Sequence, residues 1–200
     1  MNERNCLQDS DTKLVEGCLA HPPETESVAG FLPGEGIYRL ELKFDIERLR
    51  QALEACVART GYLGGDWKQH GFGILPLTHR VGQSCPSAND LSGRYWIRKD
   101  ERYVEEACED YVDESVYSEF DSRFAGTYFE EVHGALSQRF PIGRMRILSK
   151  DAYNCNSWHR DPEPRIHVPI ISNPGSLFIV NHHVTHLPAD GSVYFTDTRG

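Results

Sequence analysis

The chain has 200 residues, of which 39% are hydrophobic and 26% charged, with a formal net charge of −9. That length suits one large domain or two very small ones with a sizeable core, and the composition is neither disordered nor fibrous. No apolar run approaches the roughly 18–20 residues of a membrane-spanning helix, and the acidic balance argues against a protein that coats nucleic acid.

The opening Met1-Asn2-Glu3-Arg4-Asn5-Cys6 carries no apolar signal core, so a cytoplasmic location is expected. Residues 1–33 are polar and proline-bearing and read as a loosely structured leader, with a short helix over residues 12–18. Residues 38–44 alternate apolar and polar, the pattern of a strand. Asp45 then stands as an N-cap for a helix over residues 46–60, where Ile46, Leu49, Leu53 and Val57 recur at helical spacing and Gly61 marks the stop. Residues 71–79 and 93–98 predict two further strands, with a polar loop at residues 84–90 and turns at Gly64-Gly65 and Gly71 to Gly73.

Charge is distributed unevenly. The window from Asp100 to Glu131 holds twelve Asp/Glu and two Arg, so its net of −10 accounts for the whole excess. It predicts one or two helices with solvated acidic faces. One apolar stripe runs through Tyr103, Val104, Ala107, Cys108 and Tyr111, and another through Phe129, Val132 and Leu136. Residues 34–143 thus read as a stretch of strands and helices.

From Arg144 the pattern changes to short strand-like runs at residues 144–149, 156–161, 165–172, 176–180, 184–187 and 192–198, separated by Pro, Gly, Asn and Asp. Many short strands at tight spacing point to a barrel or sandwich. This segment holds five of the nine histidines: His159, His167, His182, His183 and His186. The six cysteines (6, 18, 56, 85, 108 and 155) are widely spaced with no C-x-x-C, which favours reduced thiols over zinc knuckles or a disulfide framework. No G-x-S-x-G or H-E-x-x-H occurs. A nucleophilic pair of Cys155 and His159 is disfavoured, since positions four apart along a strand lie about 13 Å apart.

The strongest local signal is Ser157-Trp158-His159-Arg160-Asp161. On a strand, His159 and Asp161 project to one face. An imidazole and a carboxylate so placed, completed by a second histidine, make the facial triad of non-haem Fe(II) oxygenases. The alternative is a plain surface turn before Pro162. In Arg165-Ile166-His167-Val168-Pro169-Ile170, Arg165 and His167 again share a face. A buried guanidinium requires a carboxylate partner, and a dicarboxylate such as 2-oxoglutarate would supply one.

Together W-H-R-D-P, R-I-H-V-P-I, N-P-G-S-L-F-I-V and H-L-P-A-D-G-S-V-Y-F-T-D-T-R resemble the aspartyl/asparaginyl β-hydroxylase family of Fe(II)/2-oxoglutarate-dependent oxygenases, over roughly residues 144–200. The resemblance implies a mainly β fold with flanking helices, a double-stranded β-helix (jelly roll, cupin-like) whose core segment is residues 144–200, buttressed by the strands and helices of residues 34–143. It implies a dioxygenase that uses Fe(II), 2-oxoglutarate and dioxygen to hydroxylate a small-molecule amino acid or a peptidyl Asp/Asn-like residue. Partners on nucleic acid or membrane are not expected. By the same resemblance His159 and Asp161 are the iron ligands, and Arg165 and His167 contact 2-oxoglutarate or a substrate carboxylate. Trp158 is a pocket wall or a core aromatic. Arg144 and Arg146 either reach the cleft or lie on an exposed face, and Ser149 is a weaker candidate for the co-substrate.

One departure stands out. In the family the second iron-binding histidine, and an Arg for the far carboxylate of 2-oxoglutarate, come after the D-T-R element, whereas this chain ends at Gly200. The expectation is a jelly roll incomplete at its C-terminus, from a truncated version of a longer protein. Two alternatives are His186 as a substitute ligand, with His182 or His183 behind it, and a non-catalytic binding module on the same scaffold.

Overall fold

A computed structural model describes residues 3–21, 30–61, 72–83, 96–98, 105–107, 113–151, 154–156 and 158–199. The loop expected at 84–90, the Gly64-Gly65 turn and most of the Tyr103–Tyr111 stripe lie outside them. The first helix, α1 (Glu3–Ala20), is much longer than the short one expected over residues 12–18, with no proline to stop it before Pro22. Every residue of it from Ser10 onward is exposed.

Strand β1 (Ile37–Lys43) turns Leu40 and Leu42 inward. Helix α2 (Ile46–Thr60) comes next, as expected. The Asp45 carboxylate accepts from the backbone N–H groups of Glu47 at 2.9 Å and Arg48 at 3.1 Å, satisfying donors that have no partner within the helix. The helix stops at Gly61, where φ is +65°. Leu49, Ala52 and Cys56 form its buried stripe.

Next come β2 (Phe72–Pro76), β3 (Thr78–His79), β4 (Trp96–Arg98) and β5 (Glu105–Ala107). Here the structure corrects the sequence reading: residues 105–107 pair antiparallel with β4 and are not helical. An apolar spacing of three or four residues also occurs in short strands, and cross-strand pairing overrides it. Then β6 (Glu119–Phe120) pairs with β3 between two 3₁₀ turns, Glu114–Val116 and Ser122–Phe124. The second predicted stripe is helical, as α3 (Tyr128–Ser137), which buries Phe129, Val132 and Leu136.

The C-terminal segment shows the predicted succession of short strands: β7 (Arg146–Lys150), β8 (His159–Arg160), β9 (Arg165–His167), β10 (Leu177–Val180), β11 (His183–His186) and β12 (Ser192–Thr196). All strand pairs are antiparallel, in sheets ordered β1-β12-β9, β2-β7, β3-β6, β5-β4-β8 and β10-β11. The architecture is mainly β with a few helices, and the described strands do not close into a barrel. Among the described residues no helix is long and apolar enough to cross a membrane.

Period-two alternation gives this layer two different faces. Val193 of β12, Ile147 of β7 and Leu75 of β2, with Ile166 of β9, pack with α2 and α3 into one apolar cluster. The alternate residues Arg165 and His167 of β9, Tyr194 and Thr196 of β12, and Arg146 of β7 lie on the opposite side of their strands, away from the helices. The hairpin β10-β11 covers part of that side, with Phe178 edge-on to His167 at 4.9 Å between ring centroids. Its two-residue turn, Asn181-His182, has φ of +50° and +63°, the left-handed pair that matches the twist of a tight hairpin.

Candidate functional site: a buried arginine–carboxylate cluster

The polar side of β9 and β12 holds the residues that the sequence singles out. Register places Arg165 opposite Thr196 and His167 opposite Tyr194. His167 Nε2 lies 2.9 Å from Thr196 Oγ1. Enclosure, with the Arg165 guanidinium adding to it, lowers the His167 pKa from 6.5 to about 4, so the imidazole is neutral at pH 7.

Asp161 lies directly after β8 and is tied to the end of the central strand by its backbone N–H, which donates to the Thr198 carbonyl at 2.9 Å. Its carboxylate takes a two-point grip from Arg165, with Nε 3.2 Å from Oδ2 and Nη2 3.0 Å from Oδ1. The sequence calls for a co-substrate carboxylate at Arg165; the folded chain supplies one of its own. Burial lowers the Arg165 pKa, but the hydrogen bond and charge of Asp161, with Glu114 and Glu163, more than offset it and hold the guanidinium firmly protonated. Glu163 stands 4.0 Å from Arg165 Nη2, and burial raises its pKa.

His159 is exposed on β8, in register with Ile97. Its neighbour Arg160 points to the other side of the strand and lies over the Trp96 ring at 4.0 Å. Trp158 is 61% exposed, so it is not a core aromatic. His186 is buried on β11 with Nδ1 2.8 Å from the Ser176 carbonyl oxygen, so that nitrogen donates to the backbone. His183 Nε2 lies 3.1 Å from the Leu32 carbonyl. Among the described residues no group of three or more His, Cys, Asp or Glu gathers at metal-binding separation.

Arg144 and Arg146 are not on an exposed face. Met145 between them packs toward the helices, and its backbone pairs with Leu77 and Thr78, so the chain is extended here and both arginines turn to the polar side. The Arg144 side chain is 2% exposed, lies 4.0 Å over the Tyr117 ring, and has Nε 3.2 Å from Glu114 Oε2. Glu114 Oε1 is also 3.9 Å from Arg165 Nη1, which joins the two arginines through one carboxylate. Burial first, then the like charge of Arg144, lowers the Arg146 pKa to about 10.

Glu114 and Tyr117 are functional candidates that the sequence reading missed. Glu114 lay among acidic residues read as a solvated helix face, yet it is buried in a 3₁₀ turn. The structural signal is Gly143: a Cβ there would stand 2.2 Å from the Glu114 carbonyl oxygen, so only glycine lets the turn approach the start of β7 this closely.

Comparison of the chain with protein-family models finds no match, and no curated protein matches it.

Proposed function

We propose that the chain is an Fe(II)/2-oxoglutarate-dependent dioxygenase, built on a jelly-roll scaffold, that hydroxylates a free amino acid or an Asp/Asn-like residue. The observation that carries this reading is the joining of the two motifs: the carboxylate of H-x-D is held by the guanidinium of R-x-H. His167, the other member of R-x-H, is neutral and anchored on Thr196 at the same corner.

The donor chemistry fits a divalent iron in part. His159 is solvent-accessible and Asp161 is a carboxylate beyond it on the same strand end, but the described residues add no third donor. A metal held by His159 and Asp161 would compete with Arg165 for the Asp161 carboxylate oxygens. Arg165 would then need another anion, and a carboxylate of 2-oxoglutarate is one of the right shape for its two-point grip. Metal and co-substrate binding would then be coupled through this one ion pair. When bound, iron, 2-oxoglutarate and dioxygen supply the oxidation of a C–H bond. The chain's own residues hold the carboxylates and keep the imidazole of His167 neutral.

The test is an anaerobic titration with Fe(II) and then 2-oxoglutarate, watching for the weak visible charge-transfer band of the chelate. The band should appear and be lost in His159→Ala. The second reading is a carboxylate-binding module without catalysis, and the Glu114 carboxylate set between Arg144 and Arg165 is the observation in its favour. It predicts 2-oxoglutarate binding that is indifferent to Fe(II) and to His159→Ala.

A further inference from the structure

The alternation that turns Arg165, His167 and Thr196 to one side of the central sheet turns Phe195 of β12 and its partner Tyr38 of β1 to the other. At the end where β1 begins and β12 stops there is a cavity of about 530 Å³, open to solvent. That volume falls in the range of small-molecule sites. Tyr38 and Phe195 line it, in register across the two strands with ring centroids 6.3 Å apart. Tyr38 is 56% exposed, so its ring is open to a ligand. One wall is fixed by the backbone: the Asp197 N–H donates to the Gly36 carbonyl at 2.8 Å, and Gly36 has φ of +73°. A Cβ on Gly36 would stand 3.3 Å from the Asp197 Cβ, so glycine lets the two segments meet here. Arg199 closes on Asp197 at two points, Nε to Oδ1 and Nη2 to Oδ2, both at 2.8 Å, so those charges cancel. The Glu35 carboxylate, also in the lining, has no ion-pair or hydrogen-bond partner among the described residues. The same holds for the Asn181 carboxamide, at the turn between β10 and β11. The cavity thus presents one uncompensated negative charge and a free amide beside two aromatic rings.

We infer that this cavity is a binding site for an organic cation, an ammonium or guanidinium group carried on an apolar or aromatic body. Glu35 meets the cationic head through a charge-assisted hydrogen bond, and the Asn181 carboxamide oxygen can accept another of its N–H groups. Tyr38 and Phe195 take the body, and their ring faces attract the positive charge. An anion is disfavoured, because Glu35 repels it and the Arg199 guanidinium is already held by Asp197. The site lies across the sheet from Arg165 and does not depend on the dioxygenase reading.

The experiment is a titration of the isotope-labelled full chain with phenethylammonium, and separately with phenylacetate, followed by amide NMR shifts at pH 7 and constant ionic strength. Phenethylammonium should move the Gly36, Tyr38, Asn181 and Asp197 amides saturably, and phenylacetate should not. Glu35→Gln and Tyr38→Leu should each weaken binding roughly threefold or more, the loss expected for an exposed ion pair or cation–ring contact. Both positions are exposed, so neither change disturbs the core. Glu41→Gln removes the same charge from an exposed position of β1 outside the cavity and should leave binding unchanged. Absence of saturable shifts, shifts confined to other residues, or equal binding of phenylacetate would each overturn the site. So would equal weakening by Glu41→Gln, which would mean general attraction to an acidic chain. If Tyr38→Leu does not fold, Glu35→Gln against Glu41→Gln decides alone, and unchanged affinity in Glu35→Gln refutes the inference.

Discussion

The enclosed imidazole of His167 makes the stability of this fold depend on pH in a defined window. Its pKa is lowered from 6.5 to about 4 in the folded chain. Above pH 6.5 the ring is neutral folded or unfolded, and it contributes no pH dependence. Between 6.5 and 4 the unfolded chain binds a proton that the folded chain refuses, so stability falls as pH falls, and the loss is complete below 4. At pH 4.5, about two units below the unfolded value, the loss is about 2.5 kcal/mol at about 1.4 kcal/mol per unit. Urea unfolding of the wild-type chain and of His167→Gln at pH 7.5 and 4.5 isolates this contribution, because the amide does not titrate and can still meet Thr196. The carboxylates common to both proteins cancel in the difference. Wild type should lose about 2.5 kcal/mol more than the variant on acidification. Equal losses in the two proteins would show that the ring is not enclosed as described.

The packing sets three further outcomes. Asp161→Asn leaves Arg165 without its charged partner and should lower stability by about 2 kcal/mol in thermal or urea unfolding at pH 7. Gly191 has φ of +86°, and a Cβ there would lie 2.0 Å from the Phe44 carbonyl oxygen, so Gly191→Ala should cost about 3 kcal/mol or more; an unchanged melting temperature would contradict this turn. Asp45→Ala removes the cap of α2 and should cost about 1 kcal/mol, read from the urea midpoint with an unchanged slope.

How far the residues of this chain dictate their own surroundings differs from motif to motif. The H-x-D and R-x-H motifs are the instructive case. Alternation along a strand puts Arg165 and His167 on one face, and the structure keeps them there. Alternation does not say which carboxylate Arg165 meets. That answer came from the backbone of Asp161 pairing with Thr198, which brings two segments 37 positions apart to one corner.

What the sequence by itself determined are features governed by neighbours a few residues away. They include the cap and stripe of α2, the stripe of α3, the positions of the C-terminal strands and the small turn between β10 and β11. Hydrogen bonds within a helix turn and apolar spacing along one strand are local, so they are written in order along the chain. Only the tertiary structure decided that residues 105–107 are a strand, that Glu114 is buried, and that Arg144 is shut in against Tyr117. Those outcomes depend on which distant backbone offers a partner, and on the close approach that Gly143 permits. Burial of a charge is settled by the groups that surround it, and here they come from the 3₁₀ turn at Glu114 and from strands β7 and β9.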